Sequence, residues 1–200
     1  MGGNICGGQH YGGVIMSNYN ASNDYSGYTY SVRVRPSIDF GRIGAQTKPT
    51  PITLGAFSTL SLPIYNSDNE EIYFNHSVIR RWNGVSDIIV GCRAIIDTAN
   101  TAKKFRLDLD WYNYVTGVVM PTAVNNVHFD KTTGTDAQYM SYDVTWTLNY
   151  DVVVANPILP DQILGGRIRR VAAPDTEITG EVMLHGFYVQ YCCDKIGVSC

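Results

Sequence analysis

At 200 residues the chain is long enough for one domain with a sizeable core plus an appendage, and a net charge of −3 excludes the general electrostatic footprint of a nucleic-acid binder. Only 16% of its residues are charged, against about a quarter in an ordinary soluble domain, and 14 tyrosines and 19 glycines fill the gap. No apolar run approaches the roughly 18 residues of a membrane span, so neither a membrane nor a secretory signal is expected.

Taken in chain order, residues 1–30 are rich in glycine, tyrosine and asparagine. After Met1 the only aliphatic or Met residues are Ile5, Val14, Ile15, Met16 and Ala21, too few for a core. Ordering thirty residues costs on the order of 30 kcal/mol of backbone entropy, so this arm is expected to gain order only against neighbours. Tyr11, Tyr19, Tyr25 and Tyr28 are the anchors such an arm would use, because tyrosine offers large, stiff contact area at low entropic cost. Residues 31–56 read as a first strand (27–35, GYTYSVRVR) followed by an extended connector. Its segment PSIDFGRIGAQTKPTPITLG (36–55) holds three prolines and three glycines.

From there the dominant period is two. Strands are expected at 56–65, 70–75, 86–96, 103–116, 137–150, 163–172 and 181–192, from β-branched and aromatic enrichment between turn residues. KKFRLDLDWYNYV places Phe105, Leu107, Leu109 and Trp111 on one face and Arg106, Asp108 and Asp110 on the other. QYMSYDVTWTLNY sets Met140, Tyr142, Val144, Trp146 and Leu148 against Ser141, Asp143, Thr145 and Thr147. The resulting core comprises Leu107, Leu109, Trp111, Val144, Trp146, Leu148, Val90 and Cys92. KTTGTD and AAPDTEITG read as loops. In 181–192 the alternation fails: Val182, Leu184 and Tyr188 face one way, and Met183, Phe187, Val189 and Tyr191 the other. A strand apolar on both sides is covered on both sides. Met183, Phe187 and Tyr191 are therefore candidates for a subunit interface. Together these elements predict an all-β, eight-stranded two-sheet jelly-roll sandwich over 57–193, with an extended N-terminal arm and a short tail, 194–200. An immunoglobulin-like sandwich is the alternative, weakened by the absence of its Cys…Trp…Cys spacing.

Chemistry is sparse. Asp108 and Asp110 share a face, as acid–base carboxylates or metal ligands would, but an exposed strand face with arginine neighbours reads the same way. His10, His76, His128 and His185 are widely spaced, and no metal, nucleotide or nucleophile-elbow motif occurs. The basic residues cluster at Arg33/Arg35, Arg80/Arg81, Lys103/Lys104/Arg106 and Arg167/Arg169/Arg170, as solvated faces or ion-pair partners rather than phosphate sites. Trp82 with Tyr112 and Tyr114 would suit a sugar-stacking platform, against the commoner role of aromatics in core or interface. Five cysteines without a C-x-x-C pair read as free thiols in a reducing compartment. No catalytic residue, metal or cofactor is expected.

At RRWNGVSDIIV, DQILGGRIRRVA and TGEVMLHGFYVQY the chain resembles jelly-roll structural proteins of tailed-bacteriophage virions, the capsid decoration (cement) proteins and virion fibre heads. The likeness covers about residues 57–192 and rests on a Trp-x-Gly-x-Ser-Asp turn, a Gly-Arg-Ile-Arg-Arg strand and a Gly-Glu opening of the last strand. It implies trimeric packing and a place on a virion assembled in the host cytoplasm, beside a major capsid protein or another virion protein. The expected function is that of a non-enzymatic decoration protein, with no direct nucleic-acid contact. A receptor- or glycan-binding fibre or tail module is the alternative.

Overall fold

The computed structural model describes residues 16–17, 29–34, 36–39, 49–63, 71–78, 82, 86–115, 117–119, 124–150 and 158–193. Within them the chain forms strands and no helix, in this order: β1 (Met16–Ser17), β2 (Thr29–Val34), β3 (Ser37–Asp39), β4 (Thr50–Leu54), β5 (Phe57–Leu62), β6 (Ile72–Ser77), β7 (Ile88–Ile96), β8 (Asn100–Thr101), β9 (Lys104–Tyr114), β10 (Asn125–Thr132), β11 (Thr135–Asp136), β12 (Ser141–Leu148), β13 (Ile163–Val171) and β14 (Val182–Cys193). All the strand pairings are antiparallel.

Two sheets pack around one core as a β-sandwich. In the larger, β12 pairs β7 and β7 pairs β14; the far side of β14 takes β5 and then β4 along its first half, and β2 and then β1 along its second. The smaller sheet runs β10–β9–β13–β6–β3, and β8 and β11 form a two-stranded ribbon. Four of the pairings are nested: β5 meets β14, β6 meets β13, β7 meets β12 and β9 meets β10, stepping inward along the chain.

Alternation puts Phe105, Leu107, Leu109 and Trp111 of β9 against Val144, Trp146 and Leu148 of β12 and Val90 and Cys92 of β7, all buried in a single cluster. The expected core is this one. The Trp146 indole also donates to the Leu107 carbonyl at 3.2 Å, so a polar bond crosses between sheets inside the apolar layer. Met140 does not join: it stands 40% exposed, because β12 starts one residue later and Tyr139 before it turns through φ +66°.

The connector is not wholly irregular either. Ser37–Asp39 pairs with β6 and Thr50–Leu54 forms a hairpin with β5, so both ends of the proline-rich segment belong to the sheets. β10 is an additional long strand that sequence reading passed over. NNVHFDKT alternates, but Val127 and Phe129 are its only apolar residues, and it sits at a sheet edge where polar residues suffice. The KTTGTD stretch accordingly contributes its first two residues to β10 and its last two to β11.

Part of the broken alternation of the last strand comes from a bulge. Between His185 and Tyr188 the register against β7 slips by one residue, at Gly186 with φ +64°. This β-bulge inverts the side-chain phase. Val182 and Leu184 face the core before it; Val189, Tyr191 and Cys193 face the same core after it, with Phe187 packed against them. The bulge thus brings apolar residues of both parities to one core, while Met183 and Cys192, on the opposite face, are buried outside that cluster.

Candidate functional site

The chemistry-bearing residues gather on the outer face of the smaller sheet. Register sets them in rows: Asn126, Asp110, Arg167 and Tyr73 lie side by side across β10, β9, β13 and β6, with Asp108 and Arg169 in the next row. Asp110, expected on an exposed face, is only 3% exposed. Its carboxylate accepts from Asn126 Nδ2 at 2.7 Å and Arg167 Nε at 2.7 Å, and Arg169 Nη2 stands 3.3 Å away. Arg167 also reaches the buried Glu71 through Nη1 at 3.1 Å, and the Tyr73 hydroxyl donates to the other Glu71 oxygen.

Burial alone would raise the Asp110 pKa; the Asn126 amide and the two guanidiniums reverse this and hold the carboxyl below its ordinary range. Burial, then the bond to Glu71, pushes the Tyr73 phenol up to about 12. An acid–base pair needs one carboxyl tuned toward the working pH. Asp110 is tuned the opposite way, and Asp108 and Asp110 share the same arginine, so the pair reads as the hub of an ion network that knits β6, β9, β10 and β13.

The other basic clusters are absorbed in the same manner where they are described. Arg106 forks onto Asp130 at 2.6 and 2.7 Å, Lys104 meets Asp175, Arg93 meets Asp143, and Arg170 is fully buried against Glu177. Arg33 lies over the Tyr188 ring at 4.5 Å and donates to Gln190 at 2.5 Å; Tyr188 in turn covers Gly91 of β7. Arg35, Arg80 and Arg81 fall outside the described residues.

No family model and no curated protein matches this chain. Its site residues are therefore placed by geometry alone. Met183 and Tyr191 are buried within the chain itself and Phe187 is half-buried, while Tyr11, Tyr19, Tyr25 and Tyr28 lie outside the described residues. Trp82 does not meet Tyr112 and Tyr114. It is buried beside the end of β14, bridging Cys193 and donating to Ser86, whereas the two tyrosines stack on each other on the outer face of the smaller sheet. His76 and His185 sit on β6 and β14, each held below the usual imidazole range chiefly by burial. Among the described residues, no three His, Cys, Asp or Glu side chains are grouped to hold a metal ion.

Cys92 and Cys193 are buried and in no disulfide, but Cys192 is disulfide-bonded, which corrects the expectation of free thiols throughout. Consecutive strand residues face opposite sides, so Cys193 points into the core while Cys192, also buried, lies on the other face.

A feature without a sequence motif stands at one end of the sandwich. Val115, Val118, Val119 and Val124 belong to the β9–β10 connection and Leu159 to the segment before β13; the register of Ile163 with Tyr114 puts both at the same end. All five are exposed, Val119 by 91%. The opposite end carries Asp97, Asp175, Glu177 and Glu181 in its loops and Asn100 and Asp136 in the β8–β11 ribbon.

Proposed function

We propose that this chain is a non-enzymatic structural protein of a virus particle, a jelly-roll decoration (cement) protein that stabilises a phage shell as a trimer with help from its N-terminal arm. The observation that carries the reading is the pairing order. Eight long strands joined first to last and stepwise inward make one long antiparallel ribbon, wrapped so that β12–β7–β14–β5 and β10–β9–β13–β6 become its two sheets. That order supports a jelly roll, a fold that recurs in viral capsid and lectin domains. The apolar loop end supports the same reading, since exposed valines at one pole are a surface for association. So do the internal ion pairs of Arg93, Arg106, Arg167, Arg169 and Arg170, which reduce the positive charge presented by the described surface.

The test is purification of the particles that carry this chain, with quantification by mass spectrometry and native mass measurement of the free protein. Stoichiometric copies on shells and a trimeric mass are expected. A monomer absent from purified particles would overturn the proposal.

A further inference from the structure

We infer that the free edge of β12 is a pairing edge, and that its partner is the same strand of a second copy of this chain, joined antiparallel about a two-fold axis. β12 ends the larger sheet. It pairs with β7 along its whole length, and among the described residues no other backbone bonds to it. On alternate residues its N–H and C=O groups point away from β7, where an extended chain takes them up in sequence. Edge strands are ordinarily guarded against such pairing, and the other edges of this sandwich are. β1 and β3 are two and three residues long. β4 carries Pro51. β10 sets Lys131 on the same side as Val127 and Phe129, over the Tyr142 ring at 5.0 Å, so a charge stands on its inward row. β12 has none of these devices: Ser141–Leu148 contains no proline, glycine or lysine, and its register with β7 runs from Ile95 to Ile88 without a slip.

The strand is also complementary to itself. Its outer row, Ser141, Asp143, Thr145 and Thr147, is exposed; Val144, Trp146 and Leu148 of the inner row are buried, and Tyr142 is half-buried. A two-fold axis normal to the sheet keeps each row opposite its own kind. Placed at Val144 it pairs residues 141–147 of the two copies, and placed at Thr145 it pairs residues 142–148. In both registers Asp143 stands opposite a threonine, Thr145 or Thr147, whose hydroxyl can donate to it, and never opposite a second carboxylate. Arg93 of β7, 2.7 Å from Asp143, further offsets that charge. The inner row meets as Tyr142 with Trp146, or as Val144 with Trp146 and Tyr142 with Leu148, aromatic and aliphatic pairs of the type that stabilises antiparallel neighbours. The larger sheets of two copies then run on as one. This contact lies along the side of the sandwich and the exposed valines at its end, so the two surfaces are separate, and the pairing of β12 requires neither a trimer nor a particle.

The experiment is cross-linking and sedimentation of the full chain. Thr145→Cys, treated with a short bis-maleimide, is expected to yield a covalent dimer linked between the two 145 positions, which are opposite in one register and diagonal neighbours in the other. Thr53→Cys, equally exposed but on the guarded β4, should give no such link. Thr145→Lys should raise the dissociation constant of the contact by about tenfold or more and leave the melting temperature unchanged, because the side chain is exposed. Val118→Ser with Val119→Ser keeps the valine-bearing end out of the measurement: that chain should still sediment as a dimer, and adding Thr145→Lys should make it a monomer. A monomer before Thr145→Lys is added, or no link between the 145 positions, would overturn the inference. So would a link mapped by peptide mass spectrometry from position 145 to Cys6 or Cys200, which would give the edge to a terminal segment instead. A trimer without the cross-link would overturn it and leave the proposed trimer standing, whereas a cross-linked dimer absent from particles would do the reverse.

Discussion

Arg170 carries its charge at a position where none of its side chain reaches solvent. It survives there because acceptors converge on it: Gly180 O at 2.6 Å, Glu177 Oε1 at 2.7 Å, Ile178 O at 3.4 Å and Leu62 O at 3.5 Å. One side chain thereby fastens the 172–181 loop and the end of β5 to β13. Truncation to alanine removes the cation, opens a cavity and leaves those carbonyls unsatisfied, so Arg170→Ala should cost about 3–5 kcal/mol in denaturant unfolding. Asp110 makes its contribution through pH. Its folded pKa lies below the ordinary 3.8, so as pH falls the unfolded chain takes up that proton first. The stabilisation is complete above the ordinary value and is lost as pH drops through the folded one. Asp110→Asn should therefore be less stable at neutral pH and show a flatter loss of stability below a pH of about 4, read from melting temperature against pH. Gly166 tests packing. A Cβ there would meet the Phe74 ring at 2.5 Å and the Asp110 carbonyl at 2.8 Å, and backbone cannot step aside. Gly166→Ala should cost about 1–3 kcal/mol, and Gly165→Ala less, since its nearest neighbour is the tip of a side chain.

At the scale of elements, β9 and β12 were legible because each has one strictly apolar face: period two over eight or more residues leaves one solution for which side is buried. Trp146 is their common test, and Trp146→Ala should cost about 3–5 kcal/mol because it loses both packing and the bond to Leu107 O. β10 was illegible because an edge strand with a polar outer row needs little apolar residue to hold its place. The ion network was illegible too. Alternation says that Asp108 and Asp110 share a face, but not that Arg167 and Arg169, nearly sixty residues away, lie in register beside them. β14 was harder to read for a definite reason: a bulge is invisible to a period-two count, so the count assigns Val189 and Tyr191 to the face opposite Val182 and Leu184 when all four share one core. Gly186 is the only signal of it. Deleting that residue would straighten the ladder and turn Val189, Tyr191 and Cys193 outward, so the deletion should abolish cooperative unfolding, whereas a substitution at exposed Thr145 should not.

Over the whole molecule, the division of labour between sandwich and arm has a measurable consequence. Among the described residues the fully buried core cluster begins at Leu62, with Val34 and Leu60 packed against it, so the bulk of that core lies downstream of the connector. β2 joins the sheet through the second half of β14, at Val189–Cys193, and β1 reaches the sheet only through β2. Removing residues 1–26 therefore takes away β1 but keeps β2, along with every described residue of the core. The truncated chain should unfold cooperatively at nearly the temperature of the full one. If the arm is the device that holds this protein to a shell, the same truncation should sharply lower its occupancy of particles, measured by co-sedimentation and counted against the shell protein. The two readouts separate the roles: a folded sandwich that no longer attaches assigns attachment to the arm, and a folded sandwich that still fills its sites assigns it to the valine-bearing end. Substituting Val118 and Val119 with serine in the full-length chain gives the reciprocal measurement. These side chains are largely exposed, so stability should hold while any association through that pole is lost.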